Sequence, residues 1–188
     1  MVASAPGPTA STAPSRWTTG AFGFGAVANG VTETGFNYFL LIFYSQVVGL
    51  DARLVSLAIT ASLVLDAFTD PVVGYWSDNL RSRWGRRHPL MYASAIPLAV
   101  GFALLWMPPV GLSENGVFWY LLLMSVAVRV AVTFYETPSS ALLPELSYDY
   151  DERASLQGVR TFFGWSGGNV MTVLMFVVVF PLFVTPAI

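Results

Sequence analysis

The sequence predicts an all-α membrane protein that crosses the bilayer as five helices, and three observations predict it. The chain is 55% hydrophobic with a mean hydropathy of +0.61. Only 11% of its residues are charged, where a water-soluble domain carries about 25%. Its apolar residues come in runs long enough to cross about 30 Å of hydrocarbon at about 1.5 Å per residue. Within lipid only helices and closed barrels satisfy the backbone, and these runs are far longer than a barrel strand. There are no cysteines, which excludes disulfides and thiolate metal sites. There is also no lysine, so every basic residue apart from His88 is an arginine.

Residues 1–17 open with MVASAPGPTASTAPS, which is small, polar and proline-rich. Such a stretch buries too little apolar surface to offset chain entropy and is predicted to be a disordered tail. It lacks the basic start and apolar core of a signal peptide. The remainder, 18–188, reads as one incomplete transmembrane domain with helices at about 20–45, 53–77, 89–108, 116–143 and 155–184. Gly49–Asp51, an arginine loop, Pro108-Pro109-Val110-Gly111 and the acidic segment Glu145–Glu152 separate them.

Orientation follows from the arginines. Arg16 precedes helix one, Arg81, Arg83, Arg86 and Arg87 join helices two and three, and Arg153 joins helices four and five. The other side carries only Arg53. The positive-inside rule puts the amino terminus and the arginine loop in the cytoplasm, with the plasma (inner) membrane as the expected location.

The segment DAFTDPVVGYWSDNLRSRWGRRHP places acids where they are most costly. Counting back from Asp78, Asp70 and Asp66 lie about 12 and 18 Å deeper along the helix, which brackets the midplane. Four residues apart, they point to one helix face. Glu136 lies about 13 Å inside the boundary at Glu145, at a matching depth on helix four. A charge at that depth costs at least about 2.5–3.5 kcal/mol and usually marks an ion or substrate path. Three carboxylates meeting in a low-dielectric cleft call for a proton or a hard cation such as sodium or lithium. Oxygen ligands alone suit those ions better than softer transition metals. Thr133, one turn before Glu136, adds a hydroxyl.

Asn29, Glu33 and Asn37 run down one face of helix one at intervals of four, and Arg129 shares a helix-four face with Thr133 and Glu136. With Arg160 on helix five, these side chains are expected to line an aqueous cavity and to bind a polar, hydroxyl-rich solute. Glycines at 23, 25, 30 and 35, and at 164, 167 and 168, predict close helix approach.

The segment DAFTDPVVGYWSDNLRSRWGRRHP resembles the glycoside–pentoside–hexuronide:cation symporters, the melibiose-permease-like branch of the major facilitator superfamily. FGFGAVANG…FLLIFYSQVVGL resembles that family's first helix, and YETPSSALLPELSYDYDERASLQGVRTFFGW its fourth and fifth. The resemblance runs from Phe22 to Trp165 in the expected order. It implies five of the six transmembrane helices of the amino-terminal half of a twelve-helix transporter. It also implies a cation site of Asp66, Asp70, Glu136 and Thr133, with sodium (as the metal), lithium or a proton as coupling ion and no other cofactor. The fifth-helix arginine of the family maps to Arg160. The arginine loop resembles the superfamily's cytoplasmic gate between helices two and three, which implies a gate of Asp78 with Arg81, Arg83, Arg86 and Arg87. The family's sugar-gripping aspartate on helix one aligns with Gly30, and an aromatic residue on helix four aligns with Ser140; both departures bear on galactoside specificity.

The expected partners are a sugar or related small solute, the lipid bilayer and the missing carboxy-terminal helices of a parent transporter, with no nucleic acid. Five spans are fewer than one six-helix half, so the 188-residue chain is expected to be an amino-terminal fragment that does not transport alone. An enzyme is not expected, since an intramembrane hydrolase places its two aspartates on different helices. The competing reading is a non-transporting truncated membrane paralogue or scaffold.

Overall fold

The computed structural model describes residues 15–80, 83, 87–147 and 149–183, and the described residues fold into five long helical elements. The expected tail 1–17 lies outside the described residues up to 14, and the first helix already begins at Arg16. Ser15 caps it by accepting from the Thr18 amide at 3.3 Å. We call α1 the succession of α-helical stretches Arg16–Phe24, Ala26–Thr34 and Leu40–Ile42, with π-helical turns at Gly35–Phe39 and Phe43–Val47. α2 is Ala52–Asn79, α3 His88–Leu105 and α4 Glu114–Ala141. α5 is Tyr150–Leu174, prolonged by the π-helical turn Met175–Val179 and by Phe180–Phe183. α5 starts a turn before its expected beginning because Asp149 caps it, accepting from the amides of Asp151 and Glu152. α2 to α5 are each long and apolar enough to cross a membrane.

The turns follow from local chemistry. Gly49 and Gly111 adopt φ of 86° and 85°, a left-handed conformation that glycine alone takes without strain. Asp51 and Ser113 cap the helices that follow, each accepting a backbone N–H of the first turn. Pro71, Pro97 and Pro138 sit inside helices, where each removes one donor.

α4 packs between α2 and α3, and α5 packs along α1. The largest apolar core gathers at the end of the bundle carrying the α1–α2 and α3–α4 turns. There Leu40, Tyr44, Val55, Leu105, Leu121 and Val128 are shielded from solvent. The Tyr44 hydroxyl donates to the Leu105 carbonyl at 2.9 Å and the Tyr120 hydroxyl to the Leu104 carbonyl at 2.7 Å, satisfying carbonyls at the open end of α3.

Glycine sets the α1–α5 distance. A Cβ on Gly30 would collide with the Gly164 carbonyl oxygen, and one on Gly167 would lie 2.5 Å from the Val27 carbonyl oxygen. Backbones meet directly there, as small residues permit in membranes. The same contact explains why no side chain stands at position 30: α5 already fills that space.

Candidate functional site

Two polar clusters branch from α4. The first joins α4 to α2. Thr133 Oγ1 lies 2.9 Å from Asp70 Oδ1 and 3.2 Å from Asp66 Oδ1, so one hydroxyl serves two carboxylates. Arg129 donates from Nη1 to Asp66 Oδ2 at 3.3 Å and from Nε to Ser62 Oγ at 3.1 Å. Its guanidinium carbon stands 4.6 Å from the centre of the Phe36 ring, which places an aromatic face of α1 over the charge. Asp66 and Asp70 fall near the middle of the 28-residue α2, as a midplane position requires.

The second cluster joins α4 to α5. Glu136 Oε1 accepts from Arg160 Nη2 in a close ion pair, and Arg160 is buried. The other carboxylate oxygen, Oε2, is buried and has no hydrogen-bond partner. This pair stands in the wall of a cleft of about 900 Å³ that runs between α1 and α5. Asn29, Glu33 and Asn37 of α1 line the same cleft, together with Gln157 and Asn169 of α5. Asn37 belongs to the first π-helical turn, an irregularity that often accompanies function. Sequence periodicity misses such a turn, because it registers only the regular helical repeat.

The structure therefore divides the predicted residues differently from the sequence. Glu136, expected beside Asp66 and Asp70, pairs with Arg160 instead. Among the described residues no three acidic or histidine side chains come together to hold a metal ion. Arg129, expected among the solute-binding residues, joins the α2 carboxylates and does not line the cleft. The physical reason is helical geometry. Three residues advance a helix by about 300°, so Glu136 projects about 60° away from Thr133. Thr133 faces α2, Glu136 faces the cleft, and Arg129 between them is long enough to bend to Asp66.

The expected gate is only partly visible. Arg87 Nη2 lies 3.9 Å from Asp78 Oδ1, and Asp78 is 68% exposed, so the pair is weak. Arg81 and Arg86 lie outside the described residues.

The model of the MFS/sugar transport protein family matches residues 21–186. The chain belongs to that family. A Synechocystis sp. protein named as an uncharacterized symporter is 31% identical over 164 residues, covering 85% of this chain and 30% of the relative. The isoprimeverose transporter of Lactiplantibacillus pentosus is 29% identical over 136 residues, 72% of this chain and 28% of the relative. The sodium-dependent lysophosphatidylcholine symporter 1-A of Danio rerio is 30% identical over 145 residues, 77% of this chain and 27% of the relative. The chain thus spans about 30% of the length of these family members. Membership makes it a multi-pass membrane protein of the major facilitator kind.

Proposed function

We propose that these helices belong to a secondary active transporter that couples movement of a sugar or related polar solute to a sodium or proton gradient. The coupling ion is assigned to Asp66, Asp70 and Thr133. The solute is assigned to the α1–α5 cleft, with Asn29, Glu33, Asn37, Arg160 and Glu136 in contact. The supporting observation is that two carboxylates share a single hydroxyl near the middle of a membrane-spanning helix. That donor set is all oxygen, and such oxygens suit a hard monovalent ion. The solute groups, amides with two acids and one arginine, suit a ligand rich in hydroxyls. Relatives named as symporters support coupling, and the family description supports a sugar-type solute. The amino terminus is assigned to the cytoplasmic side of the plasma membrane from the arginine distribution, with Asp78 and Arg87 at the gate. Alternating access rocks two halves about a midplane site, so transport itself is assigned to the whole protein.

One further observation keeps an amphiphile in view. Phe39, Ile42 and Phe176 line the same cleft as the polar groups, which gives it an apolar end. The test is uptake into vesicles holding the intact transporter, with an imposed sodium or proton gradient. Sugars, glycosides and a lysophospholipid serve as solutes. We expect Asp66→Asn and Asp70→Asn to uncouple uptake from the ion gradient while solute still binds. Coupling that survives in both variants would refute the assignment, and lysophospholipid as the sole solute carried would replace the sugar.

A further inference from the structure

Two carboxylates deep in a membrane ask for positive charge, and here part of it is built in. Asp66 Oδ2 accepts from Arg129, and the single Thr133 hydroxyl proton is shared between Asp66 Oδ1 and the nearer Asp70 Oδ1. Among the described residues Asp70 has that shared hydroxyl and no cation of its own. Arg129 is fixed by three elements at once, through Ser62 and Asp66 of α2, the Phe36 ring of α1 and its own helix α4. A guanidinium so held is part of the architecture and does not travel with a solute.

We infer that Arg129 is a tethered counter-cation that sets the charge, and hence the ion selectivity, of the Asp66–Asp70–Thr133 cluster. This rests on the coupling reading proposed above. Two carboxylates and one guanidinium leave one negative charge, which is centred on Asp70. A single sodium ion neutralises that charge. A divalent ion would leave an uncompensated positive charge in a low-dielectric interior, which is strongly unfavourable. Without Arg129 the cluster carries two negative charges; it would hold sodium more tightly and match a divalent ion. Arg129 is thus a specificity-determining residue that acts through Asp66.

The test uses the intact protein in detergent, with sodium chloride titrated against choline chloride at constant ionic strength and binding read from thermal stabilisation. Arg129→Gln is expected to lower the half-saturating sodium concentration about tenfold, since a neighbouring charge is worth a kcal/mol or more at this range. Calcium chloride is expected to stabilise Arg129→Gln and not the wild type. Arg129→Lys, which keeps the charge, is expected to behave as the wild type toward calcium. Because Arg129→Gln alone leaves the Asp66 carboxylate without its guanidinium, a second comparison removes the charge of both partners together. Asp66→Asn frees Arg129 to neutralise Asp70 and is expected to lose the sodium response. Adding Arg129→Gln to that variant is expected to recover it. Sodium affinity unchanged in Arg129→Gln, or no recovery in the double variant, would overturn the proposal. A wild-type protein with no sodium response would instead overturn sodium coupling itself.

Discussion

Arg129 and Arg160 each meet an acid in the polar interior, yet the two pairs are finished differently. Arg129 itself is fully engaged, donating to Ser62 and to Asp66 Oδ2 with the Phe36 ring face against its guanidinium. Around Arg160 one oxygen of Glu136 is paired and the other is buried without a partner. A buried acceptor left bare costs about 1–3 kcal/mol. Near Arg129 the acceptor still open belongs to Asp70, one turn along α2, whereas near Arg160 it belongs to the paired acid itself. On the proposed reading the difference separates two tasks: the Arg129–Asp66 pair fixes the charge that an ion at Asp70 must match, and the Glu136–Arg160 pair in the cleft wall serves the solute.

The largest effect is expected from breaking the unfilled pair. Arg160→Met would leave the Glu136 carboxylate with neither oxygen partnered, and removing one member of a buried pair costs about 3–5 kcal/mol. Glu136 is 33% exposed, which places the loss at the lower end. Chemical or thermal unfolding in detergent would register it, and Glu136→Gln added to Arg160→Met should recover most of it. Solute protection should vanish while sodium-dependent stabilisation persists. Loss of both together would show that the two clusters are one unit.

Gly30→Ala comes next and tests the cleft without touching a polar group. The new Cβ meets the Gly164 backbone, which has no rotamer with which to yield. Overpacking of this kind costs about 1–3 kcal/mol. We expect α5 to move off α1, measurable as a longer distance between spin labels on the two helices, and solute affinity to fall. The α2–α4 cluster should respond to sodium as before.

Much of this arrangement is legible in the sequence, for identifiable reasons. Asp66 and Asp70 are four residues apart on a long helix, and that spacing places them together whatever else the chain does. The glycines of α1 and α5 likewise predict the contact that the Gly30–Gly164 approach realises. Partner choice was harder. Arg129, Thr133 and Glu136 lie within about 60° of one another around α4, so periodicity gives them one face. Which neighbour each meets depends on where α2 and α5 pack, and no local pattern carries that. The π-helical turns of α1 were equally hidden, since an inserted residue shifts the register without changing composition.

A smaller effect is expected at the shared hydroxyl. Thr133→Val keeps the shape and removes the one donor between Asp66 and Asp70. A hydrogen bond to a charged group contributes about 1.5–3 kcal/mol, but this one is divided between two acceptors, so we expect the lower value. The half-saturating sodium concentration should rise, with solute binding in the absence of sodium unchanged. A Thr133→Val protein that binds sodium as the wild type does would remove the hydroxyl from the ion's ligands and leave the carboxylates alone.

The smallest effect belongs to the apolar end of the bundle and serves as the reference for the others. Tyr44 is fully buried, and its hydroxyl meets the Leu105 carbonyl, which the end of α3 leaves without a helical partner. Tyr44→Phe keeps the ring packing and loses one neutral hydrogen bond, about 0.5–1.5 kcal/mol. The melting temperature should fall slightly, with neither the sodium response nor solute protection altered. This core joins α1, α2, α3 and α4 beyond both polar clusters. A change in either binding response would therefore mean that the apolar end transmits its packing to the sites, and the separation of the two clusters would have to be redrawn as one coupled bundle.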